Sequence, residues 1–131
     1  MRASLEENRD STSPQRFAPV AFSRLAEGEF HARLAATSGV AVVLFSAPAC
    51  GGCRIWKQLL PTALAGIASA LHEVDVSEAT GVARYFGIFH LPTLYLYRDG
   101  QFHAELQCEA RLETIQKTVQ RLLAAPAQDE P

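Results

Sequence analysis

Val40 to Phe45 reads VAVVLF, six consecutive apolar residues rich in β-branched side chains. A run that is apolar at both alternating sets of positions predicts a central strand covered on both faces. The covering layers must come from the rest of the chain. The run leads directly into SAPACGGC, where Cys50 and Cys53 bracket a pair of glycines. A bonded dithiol, half of a metal site and coincidence are the three explanations open at this point.

The flanking segments supply the layers. Phe22 to Gly39, FSRLAEGEFHARLAATSG, places Phe30, Leu34 and neighbouring alanines at helical spacing and predicts a short helix stopping at Gly39. After Cys50, residues Ile55, Trp56, Leu59 and Leu60 recur at helical spacing, and Pro61, lacking an N–H, predicts a break or kink. LHEVDV reads as a strand, SEATGVARYFG as a short helix ending at Gly87, and TLYLY, RDG and QFHAELQ as strand, turn and hairpin partner. Leu112, Ile115, Val119 and Leu122 form the apolar stripe of a last helix. Strands separated by helices imply parallel crossovers, so the expected architecture is α/β, a central mixed sheet flanked by helices with an antiparallel edge.

With 131 residues, 48% hydrophobic and 20% charged, the chain fits one domain with an ordinary core, expected over 20–124. Residues 1–19 mix charge with Ser, Asn and Pro and read as a flexible N-terminal tail; 125–131 read as a flexible C-terminal tail. A net charge of -2 offers no broad basic surface, so nucleic acid is not an expected partner. No apolar run approaches the roughly 20 residues of a spanning helix, so no membrane partner is expected either. MRASLEENRDSTSPQ lacks the apolar centre of a secretory signal, which makes the cytoplasm the expected location; a monomer is also expected. Three cysteines, an odd number without an export signal, argue against a disulfide framework and leave redox or metal chemistry.

A strand feeding a helix that opens with Cys-X-X-Cys puts Cys50 at the helix N-terminus, where free backbone N–H groups and the helix dipole favour an anion by about 0.3–2 kcal/mol. Its thiolate is the expected nucleophile. Cys53, almost one turn later, lies close enough to attack a mixed disulfide held by Cys50 and release the product. Gly51 and Gly52 leave the attacking sulfur uncovered and the first turn loose. A structural zinc site needs about four ligands and usually a second paired cluster. His31, His72, His90 and His103 are scattered singly, so no metal is expected.

SAPACGGC, followed by VDV, then by VARYFGIFHLPTLYLYRDG, resembles the thioredoxin family in order, spacing and local sequence, from about Phe22 to Leu123. The resemblance implies a thioredoxin-like fold, with Cys50 attacking, Cys53 resolving, and Pro92 the cis-proline beside them. Leu91 would then present its backbone to an extended substrate segment, giving affinity with little sequence selectivity. No cofactor is implied beyond the Cys50–Cys53 disulfide itself. The implied partners are protein disulfide clients and an external dithiol reductase.

The chain departs from the family pattern in several places. Ala49 stands where thioredoxins usually carry Trp, and Gly51-Gly52 where they usually carry Gly-Pro. The family's buried aspartate falls on Leu44 and its companion lysine on Glu73. Glu73 is therefore a candidate for moving the proton of Cys53, against the plainer reading of a solvated glutamate near a strand end. Cys108 falls on a usual glycine beside the substrate groove, as a candidate third thiol or as a small apolar filler. His90, two residues before Pro92, is a candidate modulator of the Cys50 thiolate or a plain loop histidine. Reduction of protein disulfides by thiol–disulfide exchange is the favoured expectation, because both cysteines and LPT are retained. A client-binding or chaperone module with a slow or vestigial dithiol is the alternative, favoured by the missing acid and Trp.

Overall fold

The computed structural model describes residues 18–131, so the tail expected over 1–19 lies almost wholly outside the described residues. The elements run β1 (Phe22–Arg24), a 3-10 turn (Glu27–Glu29), α1 (Phe30–Ala35), β2 (Val40–Ser46), α2 (Gly51–Ala63), β3 (Ala70–Asp75), α3 (Thr80–Phe86), β4 (Thr93–Arg98), β5 (Gln101–Glu105) and α4 (Leu112–Ala124). The sheet order is β1-β3-β2-β4-β5. The first three strands run parallel, β4 is antiparallel to β2, and β5 is antiparallel to β4.

β2 is the central strand, and Ala41 to Ser46 are all buried. Its alternation divides the core in two. Val42 and Leu44 face α2 and α4 and pack with Trp56, Leu60, Ile115 and Val119. Val43 and Phe45 face α1 and α3 and pack with Phe30, Leu34, Val82 and Phe86. One strand thus contributes apolar side chains to both layers, as its unbroken composition requires.

Asp99 and Gly100, with φ of 50° and 83°, make the hairpin turn between β4 and β5. Positive φ at both central residues is the geometry that Asp-Gly favours. The turn is anchored from outside, since the Gly39 N–H donates to Asp99 Oδ1 at 2.8 Å.

Three local expectations are corrected. The short helix expected around Phe30 and Leu34 is α1, but Phe22–Arg24 ahead of it, read with the helical stretch, adds to β3 as a parallel edge, with Phe22 opposite Leu71 and Arg24 opposite Glu73. Gly28 interrupts the helical stretch, and glycine costs about 1 kcal/mol against alanine inside a helix. Gly39 does not cap α1, which ends at Ala35; at φ 75° it turns the chain into β2. Pro61 does not end α2, which continues to Ala63. It sits in the last turn, where one missing N–H is outweighed by the full burial of Leu60 and Ala63, and its carbonyl accepts from Val20 N at 3.2 Å.

Beyond α4, Gln128 ties the segment expected as a loose tail to β5. Its N–H donates to the His103 carbonyl at 2.7 Å, and its side-chain oxygen accepts from Glu105 N at 3.1 Å. Among the described residues no helix is long and apolar enough to cross a membrane.

Candidate active site

Cys50 is the N-cap of α2, in extended conformation (φ -87°, ψ 105°), and its sulfur accepts from Cys53 N at 3.1 Å. A cap that accepts from an otherwise unpaired N–H of the first turn is the setting that stabilises charge on a sulfur. The two cysteines are joined in a disulfide with Cα atoms 5.3 Å apart. Their environments differ. Cys50 is partly exposed, whereas Cys53 is 2% exposed, tucked against the sheet. One sulfur is open to a large partner and the other only to its neighbour.

The Leu91–Pro92 peptide bond is cis, and Pro92 packs against the start of α2. A Cβ added to Gly52 would lie 3.3 Å from Pro92 Cδ, whereas one added to Gly51 would meet nothing within 4 Å. The two glycines therefore differ: Gly52 makes room for the proline, and Gly51 faces open space.

Glu73 stands opposite Leu44 in the β2–β3 register, on the same face of the sheet as α2. It is 9% exposed, not a solvated residue. Its Oε2 accepts from Ser46 Oγ at 2.7 Å, and its Oε1 lies 3.1 Å from Lys57 Nζ. Burial pushes this carboxyl up, but the bonds from Ser46 and Lys57, with Arg24 nearby, outweigh it and hold the group below its ordinary value. Glu73, Ser46 and Lys57 line a cavity of about 260 Å³ together with Cys50, Cys53 and Asp75. Asp75 is held low by hydrogen bonds from Ser77, and Arg24 lies 3.8 Å from it.

His90 and Cys108 are not in that cavity. With Pro92, Trp56, Thr93 and Glu105 they line a second groove, of about 320 Å³. The His90 carbonyl accepts from Thr93 Oγ1 at 2.7 Å. Cys108 is a free, partly exposed thiol packed beside the α2–α4 layer, and burial pushes its pKa up despite a hydrogen bond from the Thr118 hydroxyl. Leu91 is partly buried against the aromatic layer. Among the described residues no group of three or more His, Cys, Asp or Glu is placed to hold a metal.

Ser46 and Lys57 escaped the sequence reading, although both carry a signal. Ser46 lies two residues beyond Leu44, on the same face of β2. Lys57 follows Cys53 by four residues, on the same side of α2.

The comparisons with known proteins agree with this geometry. The chain is 24% identical over 108 residues to thioredoxin M4 of Arabidopsis thaliana chloroplasts, covering 81% of this chain and 56% of the relative. It is 35% identical over 83 residues to protein disulfide-isomerase A3 of Gallus gallus, covering 59% of this chain and 16% of the relative. It thus spans little more than half of one relative and a small part of the other. A mutant thioredoxin from Halobacterium salinarum NRC-1 superposes with a TM-score of 0.64 at 22% identity, over 87% of this chain and 97% of that one. The thioredoxin family model matches residues 21–121, a span that holds the central strand, the capped dithiol and the cis-proline together, and on that match the chain belongs to the thioredoxin family.

Proposed function

We propose that this chain is a thiol–disulfide oxidoreductase that reduces disulfides of protein clients. The observation that carries the reading is the asymmetry of the dithiol, with Cys50 partly exposed at a helix start, Cys53 buried behind it and Pro92 alongside. In the reduced protein the Cys50 thiolate attacks one sulfur of a client disulfide. The client's second sulfur leaves as a thiolate and takes a proton. Cys53 then loses its proton and attacks Cys50, which releases the client's first sulfur and leaves the Cys50–Cys53 disulfide. Two electrons have passed to the client, and an external dithiol reductase returns them. The client lies along Leu91 and Pro92, pairing through its backbone.

Glu73 receives the proton of Cys53 in this scheme. Its depressed pKa keeps it in the accepting form at neutral pH, and it shares a cavity with both cysteines. Ser46 and Lys57 are positioning residues that hold the carboxylate.

A second reading, a client-holding module with a slow dithiol, is favoured by Leu44, which is fully buried and leaves the strand beneath the dithiol without an acid. Reduction of a disulfide-bonded reporter protein, with chemical reductant in excess, separates the two. Rapid reduction abolished by Cys50→Ser supports exchange; no rate above reductant alone leaves the holding module.

A further inference from the structure

Phe89 is 92% exposed, the most exposed large apolar side chain among the described residues. Gly87, left-handed at φ 64° and ψ 44°, ends α3 and redirects the chain. The two residues that follow diverge: Ile88 packs into the aromatic layer, and Phe89 turns outward. The Phe89 ring lies back over Gly87, with Cε2 3.7 Å from where a Cβ on that glycine would stand. There it lines an open groove of about 310 Å³ together with Val76, Ala83, Arg84 and Ile88.

A single exposed apolar residue needs no explanation, but this one shares its groove with a cation. Arg84 makes no ion pair among the described residues. An apolar slot bordered by a guanidinium complements an apolar side chain accompanied by a carboxylate. Two of its lining residues are linked through the backbone to the segments that carry the dithiol. From Phe89 the chain passes through His90 and Leu91 to Pro92, which packs on Gly52. Val76, which also lines the groove, donates its N–H to the Ser46 carbonyl at 2.9 Å, at the end of the strand that feeds Cys50.

We infer that this groove holds the client segment next to the reacting cysteine and selects clients carrying a large apolar residue and an acidic residue there. The inference rests on the exchange reading and names its substrate class.

Three synthetic peptides with one internal disulfide test it, their flanks carrying Leu-Glu, Leu-Lys or Ser-Ser on either side of the cysteine. Each KM is compared with the same protein's rate on 2-hydroxyethyl disulfide, which is too small to reach the groove. The Leu-Glu peptide is expected to have a KM about tenfold below the others, an advantage lost in Phe89→Ser and transferred to Leu-Lys in Arg84→Glu. Equal KM values for all peptides and variants, with the small disulfide reduced normally, would overturn the inference while leaving exchange intact. If the small disulfide is not reduced either, the exchange reading fails. Fluorescence anisotropy with the cysteine-free Leu-Glu peptide then decides the groove by itself, since binding that does not weaken in Phe89→Ser overturns it. Sedimentation showing a dimer that Phe89→Ser dissociates would overturn it too, because a second copy would then be the occupant.

Discussion

Lys57 Nζ stands 3.1 Å from Glu73 Oε1, joining α2 to β3 in the cavity that Cys50 and Cys53 also line. The carboxylate is nearly buried while the ammonium is 40% exposed, so removing either partner has unequal consequences. Lys57→Met leaves a buried anion with only Ser46 as partner and is expected to cost about 1–2 kcal/mol, less than a fully buried pair because water reaches the lysine. Adding Glu73→Leu to Lys57→Met removes the stranded charge and is expected to recover most of that loss. Urea denaturation of the two variants and the wild type measures both.

The same carboxylate gives an acid-side stability limit. Its folded pKa lies below the ordinary value of 4.5, so the folded state binds fewer protons than the unfolded chain between those values. The stabilisation is fully present above pH 4.5 and is lost as pH falls through the folded value. Glu73→Gln is expected to flatten this part of the curve and leave the neutral part unchanged in slope, which thermal unfolding from pH 3 to pH 7 would show. A wild-type-like slope in the variant would mean that other carboxylates carry the dependence.

Turnover offers a separate test of Glu73 as the acceptor for Cys53. Glu73→Gln keeps the shape and loses the base, so resolution of the mixed disulfide is expected to slow by about 10²-fold at neutral pH and to recover as pH rises toward the thiol pKa. Attack by Cys50, read as formation of the mixed disulfide in a Cys53→Ser background, is expected to be unaffected. Stopped-flow with a fluorescent disulfide peptide resolves the two steps, and equal slowing of both would point to a general distortion.

Gly51 and Gly52 are predicted to part company under the same substitution. Gly51→Ala meets nothing within 4 Å and stiffens the first turn of α2, for an expected gain of up to about 1 kcal/mol. Gly52→Ala brings its Cβ within 3.3 Å of Pro92 Cδ, so the same gain is offset and the proline is pressed away from the dithiol. Client reduction is therefore expected to fall several-fold in Gly52→Ala while Gly51→Ala gains stability, measurable by reporter turnover beside melting temperature.

How much of this was legible in sequence depended on how local each signal was. VAVVLF declared a doubly covered strand, and RDG declared the turn between β4 and β5, because period and turn chemistry are short-range. Phe22–Arg24 gave no strand signal, since three residues are too few for alternation and the pairing partner lies on β3. Pro61 was read by its intrinsic cost, whereas burial of its neighbours decided the outcome. Glu73 was noticed by position, but its partners come from β2 and α2 and exist only once the sheet has formed. His90 and Cys108 sit near Pro92 in the folded chain, yet face a groove apart from the dithiol cavity, a distinction that sequence proximity does not carry.

His72 limits stability nearer neutrality. It is 4% exposed, and neither ring nitrogen has a hydrogen-bond partner among the described residues. Burial, with Arg33 nearby, pushes its pKa below the ordinary value of 6.5. The folded state therefore resists a proton that the unfolded chain accepts. Stability is highest above pH 6.5 and declines as pH falls toward the folded value, by up to about 1.4 kcal/mol per pH unit. This window opens at pH 6.5, above the 4.5 at which that of Glu73 opens. His72 stands opposite Val43 in the β2–β3 register, on the layer of α1 and α3, where a β-branched side chain suits the strand. His72→Val removes two unpaired polar atoms and the proton-linked penalty together. It is expected to stabilise by about 1 kcal/mol at pH 7 and by more at pH 5. Unfolding midpoints at the two pH values check it, and a gain that is the same at both would show that the unpaired nitrogens matter but the proton does not.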